Sequence, residues 1–297
     1  MLPTIANSMF RPYLHVFENT SVADYLPEYS LLQPFWDYLR VHHQDTLRSP
    51  LFPVIISVSG YFFFSTLFMV LDLLAPKLPL LDKYRIHPEK PVSWSDISKT
   101  LGLTIYQNLV YIFPVSVAQW YWRPPTQLPA AAPNLSELLC GVVGCTLLFD
   151  FQYYIWHVVH HKIQWLYTTF HAIHHEYYVT FSWVAQYLSA WELFTLGFWT
   201  TVNPLILQCH CLTTWAFMVF NVWISVEDHS GYDFPWSMHN LIPFQLWGGS
   251  IKHAMHHQKP LTNFAPFFGH MDWIFGTGTD LKHSPAVQEK KIKGKDL

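Results

Sequence analysis

The sequence predicts an all-α fold, a polytopic membrane helical bundle with a helical cap on its cytosolic side. Three observations predict it. Hydrophobic residues make up 51% and charged residues 12% of the 297, about half the charged share of roughly 25% found in soluble domains. Residues 51–71 and 100–122 are uncharged, and each run exceeds the ~20 residues that cross a bilayer as a helix. Aromatic residues reach 18%, in keeping with belts at membrane interfaces.

The elements follow in order. Residues 1–50 carry scattered acids (Glu18, Asp24, Glu28) and lack a basic start followed by an apolar stretch, so targeting is expected from a later span and this segment is read as lumenal. Residues 51–122 hold spans one and two. The region 137–226 begins with a third span over 138–156, interrupted by Asp150, whose cost of ~3 kcal/mol at mid-membrane calls for a polar or metal-site neighbour. It ends in residues 193–226, free of Asp, Glu, Lys and Arg. As one helix this run would be about 51 Å long, against a hydrocarbon core of ~30 Å. Asn203-Pro204 and residues 208–211 fall near its middle, so it reads as a helical hairpin. Residues 227–284 form the cytosolic cap and 285–297 a basic tail.

Placing residues 75–99, 157–192 and 227–297 in the cytosol puts 13 of the 17 Lys and Arg there, which sets a lumenal amino terminus and a cytosolic carboxyl terminus. Both glycosylation sequons, at Asn19 and Asn134, then fall in lumenal loops. Lys293 and Lys295 resemble a cytosolic dilysine signal for return to the endoplasmic reticulum. The net charge of -3 argues against a nucleic-acid partner. Cys140, Cys145, Cys209 and Cys211 lie in or beside apolar runs, without zinc-site or disulfide spacing, and are expected in the core or facing lipid.

The chemistry is expected from histidine, of which there are 18. Three pentads share one pattern: His157 to His161, His171 to His175 and His253 to His257. On a helix, positions i, i+3 and i+4 share a face, so each pentad is expected to point two or three imidazoles the same way, with His160 pointing aside. Imidazole, with a pKa near 6.5, is largely neutral in the cytosol and offers a lone pair to iron or zinc. His229 and His239 follow the hairpin and join the set. The expected ligands are therefore His157, His161, His171, His174, His175, His229, His239, His253, His256 and His257, too many for one ion and economical for a dimetal site. Asp150, two helical turns before His157, is expected to hold a ligand's second ring nitrogen or to make an ordinary helix polar contact. Glu192 and Asp228 are candidates for the same outer role. Asp272 reads as surface charge, and His15, His42, His43, His87, His210, His270 and His283 as interfacial polar groups.

So many imidazoles exceed what a zinc hydrolase needs, whereas iron can activate dioxygen and oxidise an unactivated carbon. The chain has no dinucleotide fingerprint or flavin motif, so an external electron-donor protein is expected. A substrate held by apolar helices should come from the lipid bilayer.

The pentads, together with Glu227 to Tyr232 (Glu-Asp-His-Ser-Gly-Tyr), Leu148-Phe149-Asp150 and Asn263-Phe264-Ala265-Pro266, resemble the fatty acid hydroxylase and sterol desaturase superfamily, most narrowly its sterol-hydroxylating branch. The resemblance implies an endoplasmic reticulum membrane enzyme with two Fe ions, for which Zn can substitute in a purified sample. It also implies dioxygen as oxidant and cholesterol or a related sterol as substrate, hydroxylated at side-chain carbon 25. The superfamily's box residues carry over onto the three pentads. Many relatives have His-Pro ahead of the glutamate matching Glu192; here Ala190-Trp191 stands there. The alternatives are an oxidase of another lipid (a 4-methyl sterol, a sphingoid base or an alkyl glycerol) and a zinc-dependent membrane hydrolase.

Overall fold

A computed structural model describes residues 30–279. The Asn19 sequon and the basic tail with Lys293 and Lys295 lie outside the described residues. The described chain is helical, without a β-strand; its only ladder pairings are isolated bridges between Arg85 and Tyr232 and between Trp247 and Phe268.

Three helices are long and apolar enough to cross a membrane: span one, Phe52–Lys77; span two, Trp94–Tyr121; and span three, Leu135–Lys162. Spans two and three begin before their uncharged runs because a polar residue can start a helix in water and let it continue into lipid. At span two the Ser93 hydroxyl accepts from Asp96 N at 3.1 Å. At span three Asn134 Oδ1 accepts from Glu137 N at 2.8 Å, and Glu137 accepts from Asn134 N at 2.8 Å. Both are capping boxes. His157 lies 22 residues beyond Leu135, about 33 Å along the helix, so the first pentad emerges just where a ~30 Å hydrocarbon core ends.

Span three shows why this bundle belongs in lipid. Leu139, Val143, Leu147, Phe151, Ile155 and Val159, spaced every fourth residue, form an exposed apolar stripe, while the opposite face buries Asp150, His157 and His161. The arrangement inverts that of a helix in water, where charged and polar residues face outward.

The hairpin has a descending arm, Ala190–Ile206, and a return arm, Cys211–Asp228. Pro204 falls inside the first arm, and the reversal comes at Gln208, which adopts φ 51°. The return arm packs against spans one and three and against the cap helix Gly249–Gln258. Residues 181–188 wedge between spans one and two, where Trp183 O accepts from the Tyr61 hydroxyl at 2.9 Å and Leu188 O from Gln107 Nε2 at 2.6 Å. One apolar core joins spans, hairpin and cap: Cys145, Phe149, Tyr153 and Trp156 pack with Phe217 and Ile224 and with Trp247 and Phe267 of the cap.

Candidate metal centre

Nine imidazoles converge in two groups. His157, His161, His171, His175 and His256 form one; His174, His229, His253 and His257 form the other. The groups adjoin, with the His175 and His257 rings 4.6 Å apart and those of His171 and His174 5.4 Å apart.

Helical geometry explains the division: of the two or three imidazoles each pentad is expected to point the same way, two do. Adjacent residues on a helix are turned by about 100°, so positions i and i+4 stay within about 40° while i+3 lies about 100° from i+4. In each pentad the i, i+4 couple therefore shares a group and the middle histidine departs. His157 and His161 enter the first group and His171 and His175 join them; His253 and His257 enter the second. The middle residues cross over, His174 to the second group and His256 to the first. The second pentad is not regular α-helix: a π-turn over Tyr167–His171 precedes a tight turn at His174–Glu176. His160 joins neither group. Its Nδ1–H donates to Trp156 O at 2.8 Å, and its ring stacks on Trp156.

The donor set fits metal ions. Two nitrogens about 2.1 Å from a shared ion sit about 3.0 Å apart at right angles and about 3.4 Å apart in a tetrahedron. In the first group the Nε2 atoms of His157 and His171 are 3.0 Å apart, those of His161 and His157 3.1 Å, of His175 and His171 3.1 Å, and of His256 and His175 3.2 Å. In the second they are 2.8 Å apart for His253 and His229, 3.1 Å for His257 and His253, and 3.3 Å for His229 and His174. For five of the nine, Nε2 faces the centre while Nδ1–H is engaged elsewhere, which fixes tautomer and ring plane. His157 donates to Phe264 O at 2.7 Å, His256 to Thr262 O at 2.7 Å, His257 to Tyr177 O at 2.9 Å and His229 to Ser225 O at 2.7 Å. His171 donates to Glu192 Oε2 at 3.0 Å, and Glu192 Oε1 accepts from the Tyr153 hydroxyl at 2.9 Å.

Burial holds these rings neutral. His171, His174, His175, His253 and His257 are pushed well below the ordinary imidazole pKa by burial and then by their neighbours. Burial brings His229 and His256 down to about 4. A neutral ring keeps the lone pair that a cation needs.

The other sequence candidates are placed differently. His239 lies outside both groups: its Nε2 bonds Asp233 at 3.1 Å, and its ring rests so closely on Gly249 that any side chain there would collide with it. Asp150 bonds no histidine. Its Oδ1 accepts from Phe267 N at 2.9 Å and Phe268 N at 3.0 Å, fastening span three to the cap. Asp228 is buried beside His229 but does not hold its ring, which turns to Ser225. Asp272, expected at the surface, is 1% exposed and accepts from Phe264 N at 2.9 Å, Ala265 N at 3.1 Å and the Thr277 hydroxyl at 2.7 Å. It thereby shapes the loop whose Phe264 carbonyl orients His157. Sequence reasoning missed Tyr153 and these carbonyls, since a backbone oxygen leaves no mark in the residue alphabet.

Fold and site together define a class: a helical membrane protein in which histidines from the three pentads and His229 meet in two largely buried groups that could each hold a metal ion. The family model described as fatty acid hydroxylase matches residues 142–277, which carry all nine of these histidines. Cholesterol 25-hydroxylase-like protein 2 of Danio rerio is 63% identical over 272 residues, covering 91% of this chain and 96% of that protein. Cholesterol 25-hydroxylase of Rattus norvegicus is 49% identical over 257 residues, 86% of each chain, and that of Homo sapiens is 48% identical over 246 residues, 83% of this chain and 90% of that protein. No solved structure matches. The chain belongs to the fatty acid hydroxylase family, in the group of cholesterol 25-hydroxylases and cholesterol 25-hydroxylase-like proteins. It is a lipid hydroxylase of the membrane.

Proposed function

We propose that this chain is a sterol monooxygenase that hydroxylates cholesterol at carbon 25, with two iron ions held by the nine converging histidines. The observation that carries the reading is the division of those histidines into groups of five and four. Two separate donor sets suit a pair of redox ions; a hydrolytic zinc site generally needs three ligands and one open position. The names of the relatives supply the sterol and the carbon. In the overall reaction a C–H bond of the sterol and dioxygen give C–OH and water, with two electrons and two protons from an external donor protein. When bound, iron supplies the capacity to reduce dioxygen and oxidise an unactivated carbon, which no side chain has.

The chain's own residues do the rest. Glu192, held by Tyr153, and the carbonyls of Phe264, Thr262, Tyr177 and Ser225 keep the imidazoles oriented. A cavity of about 40 Å³ borders His174, His229 and His253 and is walled by Phe149, Leu188 and Leu196, leaving room for only a few carbons beside the second group. The same reading places the chain in the endoplasmic reticulum membrane, its amino terminus lumenal and its histidines at the cytosolic face, supported by the Lys and Arg distribution.

The test is reconstitution in bilayer discs with deuterated cholesterol, an electron-donor system and isotopically labelled dioxygen. The expected product is 25-hydroxycholesterol bearing oxygen from the labelled gas, with no turnover under anaerobic conditions. Turnover without oxygen would indicate a hydrolase, and oxygen inserted only into another lipid would replace the substrate.

A further inference from the structure

A second, much larger cavity lies on the side of the bundle away from the histidines. Of about 1980 Å³, it opens between span two, the first turns of span three and the two arms of the hairpin. Small-molecule pockets usually occupy roughly 300–1,000 Å³, so this chamber has room for a rigid lipid body and for lateral access from the bilayer. Its charged and titratable groups are at one end. The descending arm lines it with Phe194, Phe198, Trp199 and Val202, whereas Arg123, Glu137 and His210 stand at the end remote from the histidines.

One layer of side chains separates this chamber from the small cavity beside the second histidine group. Trp199 lines the chamber, and Leu196, about one helical turn nearer Glu192, lines the small cavity. The Trp199 ring meets Phe149 edge-on at 6.3 Å and Tyr153 at 6.4 Å, and both of those also wall the small cavity. From Gly144, at the chamber, to His157 is about 20 Å along span three. A lipid with its polar end at the remote mouth can bring only its opposite end to the metals.

We infer that the chamber is the sterol site. The ring body lies against Phe194 and Phe198, the 3-hydroxyl faces Arg123, Glu137 and His210, and the branched tail passes Trp199 into the small cavity. This rests on the sterol-hydroxylase reading and adds an orientation to it. Oxidation next to the polar end, as for a 4-methyl sterol or a sphingoid base, would place that polar end in the aromatic Trp199 layer, where burying an unpaired polar group is unfavourable. Trp199 is accordingly the residue that selects the carbon presented.

Gly197 provides a clean test. It lines the chamber, and a Cβ added there meets nothing within 4 Å, so Gly197→Phe adds bulk at the chamber wall from a position with open space around its Cβ. Gly102, equally unobstructed on span two, does not line the chamber and serves as the control. The experiment labels the purified protein in bilayer discs with a photoreactive, alkyne-tagged cholesterol whose reactive group is on the ring, and follows product from deuterated cholesterol. Ring labelling should map to chamber-lining positions within residues 119–144 and 194–215. Gly197→Phe should lower both labelling and turnover at least tenfold with metal per chain unchanged, and Gly102→Phe should stay within twofold. Trp199→Ala should spread hydroxylation over other side-chain carbons. Wild-type labelling confined elsewhere, or Gly197→Phe within twofold of wild type, overturns the chamber assignment even if 25-hydroxycholesterol forms. Labelling at the chamber without any hydroxylated sterol would instead leave the site standing and remove the reaction proposed for it.

Discussion

An imidazole serves a cation only while it is neutral and its ring is held in place. Burial meets the first condition, and for His157, His171, His229, His256 and His257 a partner at Nδ1 meets the second; both make testable statements. Because burial sets His229 and His256 to about 4 in the fold, against about 6.5 in the unfolded chain, the unfolded state takes up protons first on acidification. The metal-free protein should therefore keep full stability above about pH 6.5 and lose it as pH falls toward about 4. Thermal unfolding of chelator-treated protein across that range checks this; a melting temperature that stays flat down to pH 5 would contradict it. Glu192→Ala frees the His171 ring and should lower metal affinity or turnover by roughly 10–100-fold, the usual loss for an outer hydrogen-bond partner of a ligand. His239→Ala should leave metal content unchanged, since that ring is committed to Asp233; loss of an ion from this variant would return His239 to the ligand set.

At the scale of elements, what holds the site is the attachment of the cap to the spans. Asp150 receives two backbone N–H groups of the cap, Phe267 and Phe268, from inside span three. Asp150→Ala leaves both donors buried without an acceptor, at about 1–3 kcal/mol each, and the variant should melt several degrees lower while Asp150→Asn, which keeps an oxygen, loses less. Equal melting temperatures for the two variants would mean that the clasp contributes little. The spans, the hairpin and the three pentads were legible because their signals are local: uncharged runs of membrane length and histidines at helical spacing. The departure of each pentad's remaining histidine from its i, i+4 couple follows from the same 100° turn. The reach of Asp150 to Phe267 and the burial of Asp272 were not legible, because they depend on partners more than 100 positions away in one case and on a loop's own path in the other. His239 misled because its proximity in sequence to His229 says nothing of the turn at Gly249 that seats its ring.

The whole molecule is arranged around a boundary. An apolar stripe from Leu139 to Val159 faces outward, and the first pentad follows where the hydrocarbon ends. The proposed topology puts both sequons on the lumenal side, so a gel shift removed by endoglycosidase should vanish in the double variant Asn19→Gln, Asn134→Gln; a glycosylation tag accepted at the carboxyl terminus instead would invert the orientation. With the chain so placed, substrate and oxidant meet at the membrane face, and everything proposed for the reaction depends on nine imidazoles from the end of span three, the segment after it, the end of the hairpin and the cap gathering round two ions. Metal content per chain in the purified protein and two variants tests that most directly. The account predicts about two ions in wild type, about one in His161→Ala, which lies in the group of five, and about one in His253→Ala, which lies in the group of four. A wild-type content of one ion or fewer after loading with ferrous iron, or variants that keep both, would contradict it.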